Sequence, residues 1–373
     1  MATIIIFIVI LGVLVFVHEL GHFLTAVKLG VKVDEFGIGF PPRAVGLYKD
    51  ENGKWKFAGP KKKKAASTVY SLNWIPLGGF VKIKGEQGEH ADESDSFGHK
   101  SIGARIFIIS AGVLMNVLLA FVLLSVGYKV GLPEIIEEST QANAVVRDEK
   151  IQIIDVVEDL PAQKEGLQLG DTLVSVDGII FDDVGEVSAY ISQRAGEVLS
   201  LEVLRGTETV IKEITPEVRE DSDGAVVGVV LVKTGLISYP FFQAIAKGAE
   251  TTWFLLRQII IAFYTLFKDL IFGKGVTVDV SGPVGIAILT GQVAQQGFIY
   301  ILQFTSLLSL NLAIINFLPF PALDGGRVVF LLFEKIRGKA VPASVEAVFH
   351  NVGFLLLMVL ALLVTLRDVF RLF

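Results

Sequence analysis

Three ionisable side chains stand close together near the start of the chain, inside an apolar segment. His18 and His22 are four residues apart, so on a helix they share one face with Cβ atoms about 5–6 Å apart. Two imidazoles at that separation can bind one tetrahedral metal ion. Glu19 is rotated by about 100° from His18, which directs it toward a water next to the ion. The spacing H-E-x-x-H therefore predicts a zinc site with Glu19 as general base.

The segment that carries this motif is too apolar to be a solvated helix. Residues 3–17 are uncharged, and no Lys or Arg precedes Lys28. A cleaved signal peptide would begin with a basic region and end at small residues, so we do not expect one here. Ionisable groups within hydrocarbon are costly and are usually functional. We therefore interpret the three side chains as a site within a membrane span.

The composition places much of the chain in a lipid bilayer. Of its 373 residues, 52% are hydrophobic and 19% are charged, and long uncharged apolar stretches are typical of membrane spans. A fifth apolar stretch, residues 251–267, carries Arg257 near its middle. A charge at the bilayer centre costs roughly 2.5–3.5 kcal/mol, so residues 239–272 are predicted to be an interfacial amphipathic helix. One wall of the helical bundle is the alternative interpretation of this stretch. We predict a polytopic α-helical membrane protein with four transmembrane helices, at residues 1–30, 105–129, 298–323 and 343–370.

The charged residues exclude some functions and indicate a topology. With no cysteine in the chain, a metal site must use His, Asp or Glu. A formal net charge of −6 argues against nucleic-acid binding, which needs a basic surface. Residues 30–105 hold 13 basic and nine acidic residues, whereas residues 129–238 hold nine and 22. The positive-inside tendency places the first loop in the cytoplasm and the second loop across the inner membrane.

Zinc needs a third protein ligand, and Asp324 is the candidate. It follows the third predicted span in the sequence L-P-F-P-A-L-D-G-G-R. Asp before two glycines also fits a helix N-cap or a turn. With four spans, however, the first and third helices cross in the same direction, so Asp324 reaches the same leaflet as His18 and His22. The metal hypothesis and the interfacial assignment of residues 239–272 thus support each other.

The second loop contains a candidate α+β domain. Residues 160–178 read as a short helix, a Gly-Asp turn, a hydrophobic strand and an Asp-Gly hairpin signal. Further strand-like runs lie at residues 199–204 and 210–214. Over residues 142–216 this segment resembles a bacterial PDZ domain. The Gly-rich carboxylate-binding loop of that family is not visible at residues 145–157, so we expect discrimination by substrate size rather than capture of a free C-terminus.

Together, the motifs resemble those of one known family. The first span carries H-E-L-G-H, the third leads through N-L-x-x-x-N-x-L-P-x-P-x-L-D-G-G, and a PDZ-like segment lies between the second and third. This arrangement is similar to the site-2 protease family of intramembrane zinc metalloproteases, particularly the regulator-of-sigma-E type with a single PDZ domain. The resemblance implies Zn²⁺ held by His18, His22 and Asp324. It also implies that Glu19 activates water to cleave single-span membrane proteins in the bilayer.

The resemblance assigns roles to further residues near the third span. Asn316 and Pro319 are expected to bind and unwind the substrate helix, with Asn311 a weaker candidate. Residues 281–286 resemble another sequence motif of the family, and we expect them to form only a turn before the third span. The other histidines lack ligand spacing and are expected to be ordinary surface or border residues: His90, His99 and His350.

The first loop, residues 31–104, is expected to contain a membrane-associated β segment. Gly78 and Gly79 would form a turn, and a short alternating strand would follow it to Gly85. In this family the edge of such a strand would pair with extended substrate. A plain cytoplasmic hairpin is the alternative interpretation.

Two other classes of protein remain open. A membrane-tethered PDZ adaptor with an inactive metal site would have no use for Glu19, whereas a hydrolase requires it. An ion or metal transporter with ligands at the bilayer midplane predicts inverted repeats, and we find none in the sequence. For the protease, the resemblance suggests an anti-sigma factor or a remnant signal peptide as substrate.

Overall fold

The computed structural model describes residues 2–60, 65–86, 88, 90, 92–136, 143–206, 208–219, 224–273 and 282–370. The basic run at residues 61–64, the first residue of the predicted PDZ segment, Ala142, and Ser281 lie outside these ranges. The chain forms two compact units. The membrane unit consists of residues 1–124, 248–294 and 301–373, and the inserted unit of residues 125–247 and 295–300.

Four helices in the described ranges are long and apolar enough to cross a membrane, as predicted. They are the first, second, seventh and ninth helices of the chain. The helices are α1 (Ala2–Lys28), α2 (Ile102–Val130), α3 (Pro161–Lys164), α4 (Val184–Ser192), α5 (Phe241–Ile271), α6 (Pro283–Gln296), α7 (Phe298–Phe317), α8 (Asp324–Arg337) and α9 (Ala343–Phe370).

The predicted third span, residues 298–323, is too long. Helix α7 ends at Phe317, because Pro319 and Pro321 lack the N–H that a continuing helix needs and disfavour helical backbone in the residue before each. Asp324 then begins a separate helix, α8, close to the helix N-cap that was the alternative interpretation of this residue. The metal ligand therefore lies on a new helix that starts one short loop after the span.

The strands form one sheet in the membrane unit and a larger sheet in the inserted unit. The first sheet has the order β2-β1-β3, and the second the order β4-β11-β5-β6-β7-β8, with β9 and β10 pairing separately. The strands are β1 (Val33–Lys49), β2 (Trp55–Ala58), β3 (Val69–Ile83), β4 (Leu132–Ile135), β5 (Val145–Val156), β6 (Thr172–Val176), β7 (Leu199–Arg205), β8 (Glu208–Ile214), β9 (Glu217–Val218), β10 (Ala225–Val226) and β11 (Val229–Ser238).

In the membrane unit, the predicted strand after Gly78 and Gly79 is too short. Strand β3 begins at Val69 and continues through both glycines. Residues 35–38 of β1 have partners in residues 69–72 and also in residues 79–82, so β3 bends back around β1. Gly78 has φ +65°, a left-handed conformation that glycine adopts without steric cost. Long-range pairing with β1, which a local pattern does not reveal, extends this strand.

Two buried clusters hold the membrane unit together. The first contains Ala26, Val33, Ile108 and Leu331 and joins α1, β1, α2 and α8. The second contains Ala120, Ile259 and Leu310 and joins α2, α5 and α7. Between the spanning helices, this packing stabilises through close van der Waals contact rather than through removal of apolar surface from water. Helix α5 therefore packs through one stripe, and its placement at the membrane interface stays a prediction.

The inserted unit is the predicted α+β domain, but it extends beyond residues 142–216. Strand β11 pairs with β5 on one side and with β4 on the other, so the sheet spans residues 132–238. Its core includes Ile153, Val176, Val187 and Leu201. The last strand, β11, returns to an inner position between β4 and β5, a non-local pairing that the sequence reading missed.

Residues 282–286 also do more than form a turn. They enter helix α6, whose first turn is held by Asp368 from α9. The Asp368 carboxylate accepts hydrogen bonds from the backbone N–H groups of Gly282 and Gly285, at 3.3 and 2.8 Å. A buried carboxylate at a helix N-terminus satisfies donors that have no partner within the helix.

Candidate metal centre

The three predicted metal ligands converge on one point. Nε2 of His18 lies 3.2 Å from Nε2 of His22 and 3.0 Å from Oδ2 of Asp324, and the remaining distance, from His22 to Asp324, is 3.4 Å. Ligand atoms at 2.0–2.1 Å from a tetrahedral zinc ion lie about 3.3–3.4 Å from one another. The triangle therefore fits a single zinc ion and leaves one tetrahedral position for water.

Asp324 has the character of a metal ligand. Its Oδ2 is buried and has no hydrogen-bond partner, an arrangement that is costly unless a cation neutralises the oxygen. Burial raises the pKa of the Asp324 carboxyl, but the two imidazoles hold that pKa below its usual range. To bind zinc here, Asp324 must be in its ionised form.

Helix α2 fixes the orientation of both imidazoles. Nδ1 of His22 donates a hydrogen bond to the carbonyl oxygen of Ile108, at 2.9 Å. Nδ1 of His18 lies 3.3 Å from the side-chain amide of Asn116, whose own backbone carbonyl accepts from Ser309, at 2.8 Å. A histidine that binds metal through Nε2 carries its proton on Nδ1. We therefore assign the amide oxygen of Asn116 to the side facing His18.

Close approach between α1 and α2 depends on two glycines. A Cβ at Gly21 would come within 2.7 Å of the carbonyl carbon of Ala111, and a Cβ at Gly112 would come within 2.8 Å of Nε2 of His18. Both distances are shorter than real Cβ contacts. The backbones of the two helices therefore touch where the metal ligands sit, as small residues allow in membrane proteins.

The two glycines after Asp324 serve the same purpose at the start of α8. A Cβ at Gly325 would collide with the carbonyl oxygens of Phe317 and Leu318, and one at Gly326 with the carbonyl of Phe320. The loop that leaves α7 thus lies directly against the first turn of α8. In the L-D-G-G sequence, the Asp is the metal ligand and the two Gly residues leave room for the preceding loop to pack against α8.

The metal ligands face a cavity of about 230 Å³ in the membrane unit. Glu19 lines it together with Phe80 and Val81 of β3. Glu86 and Arg327 also line it and form an ion pair with each other, and Arg327 donates to the backbone carbonyl of Glu86 at 3.2 Å. Burial lowers the pKa of Arg327, but the ion pair with Glu86 and the nearby carboxylates of Glu346 and Asp324 together raise that pKa above its usual value. The cavity thus places a carboxylate, a guanidinium and a strand beside the metal ligands.

Other predicted site residues lie outside this cavity. Asn311 donates to the carbonyl of Leu307 at 2.9 Å, and Pro319 is exposed; Asn316 is half-buried, and none of the three lines the cavity. The backbone at Gly79 lies against α1, where an added Cβ would be 3.7 Å from Cγ of Glu19. Gly78 packs against Val15 in the same way. The roles of these five residues in substrate binding stay predictions.

The sequence reading missed two groups that support the site. Asn116 is a polar residue in an otherwise apolar span and is fully buried, which is a signal that sequence reasoning could have used. His350, expected to be an ordinary border residue, instead accepts a hydrogen bond from the backbone N–H of Ala322 at 2.9 Å. That contact depends on the fold and has no sequence signal.

A second cavity, of about 560 Å³, lies in the inserted unit. It runs between α4 and the stretch from Gly224 to Leu231, and its apolar lining includes Leu160, Ile191 and Val229. Two glycines, Gly224 and Gly228, lie in this stretch. The expectation that the domain discriminates by substrate size rather than by capture of a free C-terminus stays a prediction.

Comparisons with known proteins agree with the geometry of the metal centre. Residues 6–360 match peptidase family M50. Zinc metalloprotease RasP of Geobacillus kaustophilus is 30% identical over 454 aligned positions, covering 100% of this chain and 98% of that protein. Regulator of sigma-W protease RasP of Bacillus subtilis is 28% identical over 456 positions, covering 100% and 99%. A PDZ domain of an SdrC-like protein from Listeria monocytogenes is 22% identical, with a TM-score of 0.22 over 23% of this chain and 92% of that domain.

The chain belongs to peptidase family M50. The predicted membership of the site-2 protease family and the predicted class of enzyme, a zinc metalloprotease, are therefore confirmed.

Proposed function

We propose that this protein hydrolyses peptide bonds within or near the membrane-spanning segment of single-span membrane proteins. The observation that carries the proposal is the convergence of His18, His22 and Asp324 in one cavity with Glu19. Zinc held by the three ligands would act as a Lewis acid that polarises the scissile carbonyl and lowers the pKa of a water molecule. The protein itself must supply the base, the substrate-binding edge and the shielding from lipid.

Glu19 is the group that would move the proton. It lines the cavity and lies next to the ligand His18 in the sequence. Among the lining residues that are not metal ligands, the other carboxylate is Glu86, which is paired with Arg327. Glu19 would take a proton from the attacking water and deliver it to the nitrogen of the leaving amine. This cycle leaves Glu19 ionised and ready for another turnover.

Strand β3 offers the edge on which a substrate could lie. It is an outer strand of its sheet, and its last residues, including Phe80 and Val81, line the cavity beside Glu19. A peptide bond in a helix has its carbonyl engaged in a hydrogen bond, so a substrate helix must unwind before it is cut. An unwound segment that pairs with β3 would regain backbone hydrogen bonds and present its carbonyl to the cavity.

The test compares Glu19→Gln with the wild-type protein. The substrate is a reconstituted single-span membrane protein, and zinc content is measured in parallel. We expect the variant to keep about one zinc per chain and to lose cleavage, with the exposed substitution Glu51→Gln as a control that keeps both. Wild-type protein without zinc would contradict the metal site. Cleavage retained by Glu19→Gln would contradict the role of Glu19, and wild-type protein with zinc but no cleavage would favour the adaptor.

The inserted unit is proposed to exclude substrates that still carry a bulky domain on its side of the membrane. The structure shows where the chain can be shortened to test this proposal. The backbone N–H of Tyr239 donates to the carbonyl of Tyr128 at 2.8 Å, so residues 132–238 can be replaced by a short Gly-Ser linker. We expect the shortened protein to cut substrates with and without the bulky domain. Loss of cleavage of short substrates would show instead that the unit recruits them.

A further inference from the structure

The loop that delivers Asp324 contains a backbone conformation that needs external support. Residues 318–323 connect α7 to α8 and end directly at Asp324. Ala322 in this loop has φ +76°, a left-handed conformation that residues with a Cβ rarely adopt. Such conformations persist only where surrounding contacts impose them. The position of the third zinc ligand therefore depends on whatever holds Ala322.

His350 on α9 provides that contact. Its Nδ1 accepts the hydrogen bond from the backbone N–H of Ala322 at 2.9 Å. A ring nitrogen that accepts carries no proton, so the proton of the neutral imidazole is on Nε2. Nε2 lies 3.7 Å from Oε1 of Glu346, one turn earlier on the same helix. The ring is thus oriented with its lone pair toward the loop and its N–H toward a carboxylate.

Further contacts from α9 hold the loop and α8 from the same side. Gly353 follows His350 by about one helical turn, and a Cβ there would come within 2.7 Å of the carbonyl carbon of Pro321. The backbone of α9 therefore touches the loop. The His350 ring also packs against Phe330 of α8, with ring centroids 5.9 Å apart. Helix α9 contacts both the segment before Asp324 and the helix that follows it.

We propose that His350 is a positioning residue for the zinc site. By accepting the Ala322 N–H it holds the loop in the conformation that aims Asp324 at His18 and His22. Without this acceptor, Ala322 can relax to an ordinary backbone conformation, and Asp324, two residues later, moves with it. Zinc–ligand distances tolerate only about ±0.2 Å, so a small shift of the carboxylate weakens zinc binding. The inference rests on the proposed zinc site.

Two substitutions separate the hydrogen bond from the packing of the ring. His350→Phe keeps an aromatic ring against Phe330 but has no acceptor. His350→Asn loses the ring but places an amide oxygen near the position of Nδ1. Zinc affinity is measured for the full-length protein in detergent by competition with a chelator, and the site is also loaded with Co²⁺ to record its absorption spectrum. We expect His350→Phe to weaken zinc binding by about 10-fold or more and to alter the Co²⁺ spectrum, while His350→Asn stays close to wild type.

The neighbouring, exposed Asn351→Ala is the matched control and should leave zinc affinity unchanged. Thermal unfolding of the zinc-free proteins checks that each variant folds, and His350→Leu replaces His350→Phe if the latter does not. Zinc affinity equal to wild type in His350→Phe would overturn the inference, as would equal losses in His350→Phe and His350→Asn. Absence of zinc from the wild-type protein would instead refute the proposed function on which the inference rests.

Discussion

Replacing Gly112 by alanine should remove the zinc site without unfolding the protein. The added methyl group would lie 2.7 Å from Cε1 and 2.8 Å from Nε2 of His18 and would also meet Nε2 of His22, whereas ordinary Cβ contacts begin at 3.4 Å. The His18 ring must therefore retreat by about 0.6 Å, three times the roughly 0.2 Å that zinc–ligand distances tolerate. Changes to groups that only orient a ligand cost about 10–100-fold in metal affinity, so displacing a ligand should cost more than about 100-fold.

The substitution Gly103→Ala in the same helix, α2, is the matched control because nothing lies within 4 Å of a Cβ there. The change at Gly112, in the interior of α2, gains up to about 0.5–1 kcal/mol of helix stability. At Gly112 this gain is opposed by an overpacking cost of roughly 1–3 kcal/mol. Zinc per chain is measured by elemental analysis, and affinity by chelator competition. A Gly112→Ala protein that keeps zinc with the affinity of the Gly103→Ala protein would refute the close approach of α1 and α2.

Three further predictions concern the imidazole support, the inserted unit and the topology. Asn116→Leu should weaken zinc binding about 10–100-fold, whereas Asn116→Asp, which keeps an acceptor for His18, should not; chelator competition on both variants measures this. Asp171 is 1% exposed and pairs with Arg205 at 2.7 and 2.8 Å, so Asp171→Ala should destabilise the inserted unit by about 1.5–3 kcal/mol in denaturant unfolding and leave zinc content unchanged. In the naturally cysteine-free chain, a thiol reagent that cannot cross the membrane should label Glu51→Cys only from the cytoplasm and Glu186→Cys only from outside, and the reverse pattern would invert the proposed topology.

The ligands could be predicted from the sequence because each breaks a local rule. His18 and His22 are ionisable residues in an apolar span, and the direction of successive spans then selects Asp324. The supporting contacts follow no local rule. Ile108 orients His22 through its backbone carbonyl, which every residue possesses, and His350 acts on a loop 28 residues away in the chain. Such contacts exist only after the helices have packed, so a single sequence does not reveal them.

The strand boundaries were missed for a related reason. The pattern around Gly78 shows alternation over a few residues, but the extent of β3 is set by its pairing with β1. Likewise β11 lies outside the segment that resembles a PDZ domain, yet it occupies an inner position of that sheet. Hydrogen bonding to a distant partner outweighs local strand preference, which is weak in itself.

The glycines near the metal centre allow the close helix packing that brings the ionisable ligands together. Three ligand atoms can stand 3.0–3.4 Å apart only if the helices that carry and orient them approach more closely than side chains normally allow. Gly21 and Gly112 give α1 and α2 that freedom, and Gly325 gives it to α8 and its loop. A chain with His18, His22 and Asp324 but with alanine at these three positions would have every ligand and no site. The H-E-L-G-H and L-D-G-G sequences therefore encode distances as well as chemistry, and a match to the ionisable residues alone is weaker evidence of a metal centre than a match that includes the glycines.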